Sequence, residues 1–285
     1  MSAMSTPLVS AEWLKARLGA DNLVVIDASW YLPAMNRNGA AEYAHGHIPG
    51  AYFFDIDAVA DHATSLPHML PSADAFAQAV GAMGCDDAAD IVVYDGAGLF
   101  SAPRLWWMFQ AFGHNSVAVL DGGLPGWIKK GGVLETAVPA RRTSHFSSRA
   151  HPLMVAALDD VRDALERRTA QVFDARPAAR FHGKAPEPRP GLKSGHMPGS
   201  LSLPASDLIE NGFLKEPADI LAAFESAGAD WRTPVITSCG SGVSAAILTL
   251  GLVRAGREPG RLYDGSWSEW GARKDLPVAR ETRDG

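Results

Sequence analysis

Cysteine is nearly missing: the chain has two, Cys85 and Cys239, in 285 residues. That count leaves no disulfide framework and no cysteine-based zinc site, and it suits a reducing compartment in which a free thiol survives. Long apolar runs are missing too. The longest, Ala245 to Val253, contains Thr249 and Gly251, whereas a membrane span needs roughly 20 apolar residues. Met1 to Leu18 lacks a basic start followed by an apolar block. It carries Glu12 and Lys15 and reads as a short amphipathic helix leading to a strand at Leu23. No signal peptide is expected, and the expected location is cytoplasmic. Positive charge is in deficit: a net charge of -6 argues against nucleic acid or an anionic membrane as the main partner. What remains is the ordinary profile of a soluble globular protein, 47% hydrophobic and 20% charged, long enough for one large domain or two of ordinary size.

The chain repeats itself. Val24-Val25-Ile26-Asp27-Ala28 matches Val172-Phe173-Asp174-Ala175-Arg176 as a buried strand ending in Asp. Gly46-His47-Ile48-Pro49-Gly50-Ala51 matches Gly195-His196-Met197-Pro198-Gly199-Ser200. Ile91-Val92-Val93-Tyr94-Asp95-Gly96-Ala97-Gly98 matches Val235-Ile236-Thr237-Ser238-Cys239-Gly240-Ser241-Gly242. Leu120-Asp121-Gly122-Gly123 with Trp127 matches Tyr263-Asp264-Gly265-Ser266 with Trp270. The blocks recur in one order at an offset of about 145 residues, so each half is expected to be a complete domain: 1–137 and 153–285. Residues 138–152 hold two prolines, three arginines and four Ser/Thr without a sustained period, and read as a linker or hinge.

Each half alternates apolar strands with helical patterns. Ser72 to Met83 reads as a helix with Ser72 as N-cap, and Leu158 to Glu166 reads similarly. The fold class is therefore α/β, with two domains that each have a mainly parallel sheet flanked by helices. In such sheets ligands bind beyond the carboxyl ends of the strands. There, Pro234 to Ser238 is followed at once by Cys239-Gly240-Ser241-Gly242-Val243-Ser244 and then by an apolar helix. A strand, a glycine loop and a helix start build an anion cradle of backbone N–H groups. Such a cradle would stabilise a thiolate, the nucleophilic form, and a sulfur bound to it. A cysteine after a buried strand is more often an inert packed thiol. The glycines at 240 and 242 shift the balance toward catalysis by leaving those N–H groups bare.

Tyr43-Ala44-His45-Gly46-His47-Ile48-Pro49-Gly50-Ala51 and Tyr263-Asp264-Gly265-Ser266-Trp267-Ser268-Glu269-Trp270 resemble the two signatures of the rhodanese-type sulfurtransferases, and the tandem arrangement spans nearly the whole chain. The Cys239 loop looks like the form found in 3-mercaptopyruvate sulfurtransferases, with Ser244 where Thr is commoner. Thiosulfate-preferring relatives usually carry Arg and Lys where Gly240 and Ser241 stand. The resemblance implies two rhodanese-like domains, and an enzyme that moves sulfur from 3-mercaptopyruvate through a Cys239 persulfide to a thiol such as thioredoxin or glutathione, or to cyanide. It implies substrate-binding roles for Arg180, Arg189, Gly240, Gly242, Val243 and Ser244, and a minor proton-transfer role for His47. Arginine's planar fork suits a carboxylate. Ser241 is the better candidate to help protonate the departing pyruvate enolate. No metal or organic cofactor is required. Asp95 stands where Cys239 stands and cannot carry sulfur, so the first domain is expected to be inactive and to serve as a wall of the site.

Other residues read more plainly. His45 and His47 are spaced like metal ligands, but no further ligands cluster nearby, and the repeat at His196 points to a turn. Cys85 reads as a loop residue. Asp27 and Asp174 read as structural acids, both orienting arginines. Tryptophans 106, 107, 127, 267 and 270 read as core. Three rivals remain. A thiosulfate sulfurtransferase of the same fold is closest. A cysteine phosphatase needs Arg six residues after the cysteine, where Ala245 stands. A non-catalytic binding module is disfavoured by the intact loop.

Overall fold

The computed structural model describes residue 4 and residues 6–140 and 143–280. In chain order the elements are β1 (Leu8–Val9), α1 (Ala11–Arg17), β2 (Leu23–Asp27), α2 (Gly39–His45), β3 (Tyr52–Phe53), α3 (Ala73–Gly81), β4 (Asp90–Tyr94), α4 (Ala102–Ala111), β5 (Val117–Leu120) and α5 (Gly123–Lys129). They continue with β6 (Val155–Ala156), α6 (Leu158–Arg167), β7 (Gln171–Asp174), α7 (Ala178–Phe181), β8 (Leu201–Ser202), β9 (Ile209–Glu210) and β10 (Phe213–Leu214). The last are α8 (Pro217–Ser226), β11 (Val235–Ser238), α9 (Ala245–Arg254), β12 (Arg261–Tyr263) and α10 (Ser266–Trp270). Of the stretch up to Leu18 expected to be one helix, only α1 is helical among the described residues, capped by Ser10, whose side chain accepts from Trp13 N–H; Leu8–Val9 form β1 instead. Residues 1–3 and 5 of that stretch lie outside the described residues. Ser72 caps α3 through Ala75 N–H, as its hydroxyl predicts.

Two compact units result. One takes in Met1–Asp61, Leu70–His151 and Ile209–Leu214; the other His62–Met69, Pro152–Leu208 and Lys215–Gly285. Each holds one five-stranded sheet, in the orders β1-β5-β4-β2-β3 and β6-β12-β11-β7-β8. Every neighbouring pair in both sheets is parallel. The repeat in sequence is thus a repeat in topology. β4 and β11 are the central strands of the two sheets. β4 is apolar from Ile91 to Val93, as a strand covered on both faces requires, whereas β11 ends in the buried polar Thr237 and Ser238. In register, Asp27 lies beside Tyr94 and Asp174 beside Ser238. The strand-end acids therefore flank the starts of the Asp95 and Cys239 loops.

The first core gathers Leu14, Val92, Tyr94, Leu120 and Trp127; the second Val161, Val172, Ile236, Trp267 and Trp270. Tryptophans 106 and 107 are also fully buried. The stretch expected to be a linker, 138–152, has no helix or strand over residues 138–140 and 143–151, and its last residue, Pro152, opens a 3-10 turn; residues 141 and 142 lie outside the described residues. From Ser144 onward it is a strap of the first unit. Ser144 N–H donates to Gly81 O at 2.9 Å, Arg149 N–H to Phe112 O at 2.9 Å and His151 N–H to Ala111 O at 2.7 Å. Phe146 is its apolar anchor, buried against Phe76 and Phe109.

The hairpin β10–β9 turns through Asn211 (φ 54) and Gly212 (φ 85), two positive values that a tight primed turn requires. It belongs to the first unit, where the Phe213 ring fills the space over Gly122. A Cβ on Gly122 would come within 2.4 Å of that ring.

Candidate active site

Cys239 follows β11 directly, and its thiol is almost wholly buried. Two of the loop's carbonyls are held by the segment Tyr263 to Trp270. Cys239 O accepts from Trp267 N–H at 2.9 Å. Gly240 O accepts from Ser268 N–H at 2.9 Å and from Ser268 Oγ at 2.7 Å. Cys239 N–H donates to Ser266 Oγ at 3.1 Å, and that hydroxyl donates to Tyr263 O at 2.7 Å. The segment Tyr263 to Trp270 is therefore a brace for the cysteine loop. Ser266 holds a left-handed backbone, φ 50, which costs a non-glycine residue about 1–2 kcal/mol. Its hydroxyl bonds to both Cys239 and Tyr263 offset that cost.

Gly242 makes the turn with φ 76, as Gly98 does in the first unit with φ 108. Among the described residues, the N–H groups of Ser241 and Ser244 take no protein acceptor. α9 begins at Ala245, so its first N–H groups and the positive end of its dipole add to the same place.

The first unit shows what such a loop does with an anion. Asp95 Oδ1 accepts from Ala97 N–H at 2.9 Å. Its Oδ2 accepts from Phe100, Ser101 and Ala102 N–H at 2.7, 2.9 and 2.9 Å. A carboxylate at the position of Cys239 is thus fully cradled by backbone donors.

Beside the cysteine loop stands Arg180. Its Nη2 lies 3.2 Å from where a Cβ on Gly240 would sit, so the glycine leaves the guanidinium its place. Arg180 Nε donates to Glu187 Oε2 at 3.1 Å, and Nη2 donates to the same oxygen. Glu187 Oε1 accepts from Arg176 Nη1 at 2.7 Å. Arg176 is buried and donates from Nε and Nη2 to Asp174, from Nη2 also to Gly195 O, and lies over the Trp267 ring. Asp174 thus orients an arginine, as expected of both strand-end acids; the expectation fails for Asp27, whose Oδ1 takes Ser29 N–H at 2.9 Å instead. Arg189 Nη2 donates to His68 Nε2 at 3.1 Å. His68 is buried, with φ 62, and belongs to the second unit although it comes from the first half of the sequence.

Rhodanese-like domains match residues 10–130 and 157–273. The chain belongs to the rhodanese family. It is similar to a 3-mercaptopyruvate sulfurtransferase of Escherichia coli, 45% identical over 96% of this chain and 98% of that one. It is also similar to the human 3-mercaptopyruvate sulfurtransferase, 41% identical over 92% and 91%. A crystal structure of an E. coli 3-mercaptopyruvate sulfotransferase superposes with a TM-score of 0.85 at 41% identity, covering 92% of this chain and 99% of that one. The Tum1 protein of Saccharomyces cerevisiae superposes with a TM-score of 0.88 at 31% identity, covering 98% and 99%.

Within this rhodanese fold, six of the residues singled out in the sequence share one loop: Cys239, Gly240, Ser241, Gly242, Val243 and Ser244. Arg180 joins them. The proton-transfer role implied for His47 needs correcting, because its ring is wholly buried. Nδ1 lies 2.8 Å from Tyr43 O and Nε2 3.2 Å from Ala137 O, and the ring stacks on Tyr43 at 4.0 Å. His196 repeats the arrangement with Nδ1 2.9 Å from Phe181 O and a stack on Phe181 at 4.0 Å. A histidine doing the same work in both halves is fastening a turn. Cys85 is fully buried and burial pushes its thiol up, so it is no second nucleophile. Glu187, Arg176, Ser266, Ser268 and His68 escaped the sequence reading. An acid two residues before Arg189 was the signal available for Glu187.

Proposed function

We propose that the chain is a 3-mercaptopyruvate sulfurtransferase. The Cys239 thiolate attacks the donor's sulfur. The S–S bond of a persulfide forms, the donor's C–S bond breaks, and its electron pair leaves on pyruvate as the enolate, which takes a proton assisted by Ser241. Arg180 and Arg189 bind the carboxylate. The N–H groups from Gly240 to Ser244 hold the persulfide. A thiol such as thioredoxin or glutathione, or cyanide, removes the outer sulfur. The first domain, 1–137, is inactive because Asp95 occupies the nucleophile's position, and 138–152 joins it to the catalytic domain, 153–285. The observation that carries this reading is an uncharged cysteine loop with an arginine fork beside its first glycine. We place the enzyme in the cytoplasm; a relative from Arabidopsis thaliana carries "mitochondrial" in its name. Among the described residues no helix is long and apolar enough to cross a membrane.

Relatives from Arabidopsis are named for both thiosulfate and 3-mercaptopyruvate, so the donor is the point to test. With one common acceptor, kcat/KM for 3-mercaptopyruvate should exceed that for thiosulfate by more than roughly tenfold, about 1.4 kcal/mol of transition-state discrimination. Cys239→Ser should abolish both. A thiosulfate preference keeps the persulfide and removes the charge argument at Gly240 and Ser241. Activity surviving in Cys239→Ser removes the mechanism.

A further inference from the structure

Glu187 is buried, its side chain 1% exposed, and it sits between Pro186 and Pro188, whose rings fix the backbone on both sides. Its two oxygens are divided between two arginines: Oε1 takes Arg176 and Oε2 takes Arg180. Arg176 is anchored on its other sides as well. Both Asp174 oxygens hold it, Gly195 O accepts from it at 2.9 Å, and its guanidinium lies 4.2 Å from the Trp267 ring centroid. The charges alternate along the chain Asp174, Arg176, Glu187, Arg180. Buried ion networks of this kind add little net stability, but they can fix geometry.

We propose that Glu187 is a positioning residue that holds the Arg180 guanidinium beside Gly240, so that the carboxylate of the sulfur donor meets a fork already in place. The inference rests on Arg180 being that carboxylate's ligand. A preset fork spares the donor the cost of ordering a long side chain. Glu187→Gln tests it at constant volume. The amide offers an acceptor to one arginine and N–H donors to the other. Arg176 cannot turn away, so Arg180, whose side chain is 17% exposed, is the one displaced.

The measurement is a double-mutant cycle with Arg180→Ala, following kcat/KM separately for each half-reaction. In a ping-pong scheme the donor's constant reports only persulfide formation and the acceptor's only its discharge. E187Q should lower kcat/KM for 3-mercaptopyruvate about tenfold or more, the scale of one charge-assisted hydrogen bond. It should leave kcat/KM for 2-mercaptoethanol, an uncharged acceptor, within about threefold. In the R180A background E187Q should add nothing. A full further loss on top of R180A, or an equal fall in both constants, overturns the inference, because Glu187 then acts on the fold. If R180A lowers the donor constant and E187Q does not, Glu187 alone is refuted. If R180A leaves the donor constant intact, the reading of Arg180 fails first and takes this inference with it. Should urea unfolding show E187Q to be misfolded, Glu187→Asp carries the same cycle.

Discussion

The loop after β4 and the loop after β11 occupy the same place in two sheets of matching strand order, and they have used their donors differently. In the first, the N–H groups of Ala97, Phe100, Ser101 and Ala102 all end on the Asp95 carboxylate, and Gly96 N–H ends on Ser29 Oγ at 2.8 Å. In the second, a thiol replaces the carboxylate, and Ser241 and Ser244 keep their N–H groups for something else. The arginines differ in the same sense. Arg37 donates to Gly96 O at 3.1 Å, and Pro125, which stands where Ser268 stands, has no N–H to offer that carbonyl. Ser268 supplies two donors to Gly240 O, and no bond joins Arg180 to the loop backbone among the described residues. One unit closes its loop on itself, while the other leaves donors and an arginine for an outside anion.

The sharpest way to break that comparison is to remove the internal anion. Asp95→Ala strands four N–H groups, and at about 1 kcal/mol each it should destabilise the first unit by roughly 4 kcal/mol. Cys239→Ser, at the matching position, should change stability by less than about 1 kcal/mol. Urea midpoints of both variants against the parent decide it. Equal, small shifts would mean that water satisfies the first loop as well as the carboxylate does.

How much of this could be read beforehand follows from where each signal lives. The α/β class, the duplication and the cysteine loop were legible because strand ends, glycines and the motif repeats are local. β1 and β6 are two residues long and too short to carry a period. The Asn211-Gly212 turn was a hairpin signal that went unused, but nothing local tells that its strands belong to the first unit. Ser266 and Ser268 act on backbone atoms distant in sequence, and Glu187 looks like a solvated charge until the fold brings two arginines to it. His47 misled because a signature position implies chemistry, whereas its ring holds backbone carbonyls.

A second, smaller contrast lies at the strand ends. Asp174 faces Arg176, while the matching Asp27 faces Ser29, whose N–H donates to it at 2.9 Å. Burial, with the charge of Asp95 adding to it, pushes the Asp27 carboxyl from the ordinary 3.8 up to about 6. The folded state therefore binds that proton more tightly than the unfolded chain. The stability it contributes is fully present below about pH 4 and is lost as pH rises through about 6, a span worth at most about 3 kcal/mol. Asp27→Asn keeps the acceptor without the charge. It should raise the urea midpoint at pH 7.5 and leave it nearly unchanged against the parent at pH 4. An equal shift at both values would place the effect in packing.

The smallest expected effect separates the brace from the fork. Ser268→Ala removes the 2.7 Å bond to Gly240 O and leaves the 2.9 Å bond from the backbone, a loss of about 1 kcal/mol. Because the loop serves both half-reactions, donor and acceptor constants should fall together, each by less than about tenfold. Glu187→Gln should instead split them. If Ser268→Ala also split the constants in favour of the acceptor, the carbonyl of Gly240 would be acting through Arg180. The contrast between an arginine tied to the loop in one unit and untied in the other would then rest on this hydroxyl.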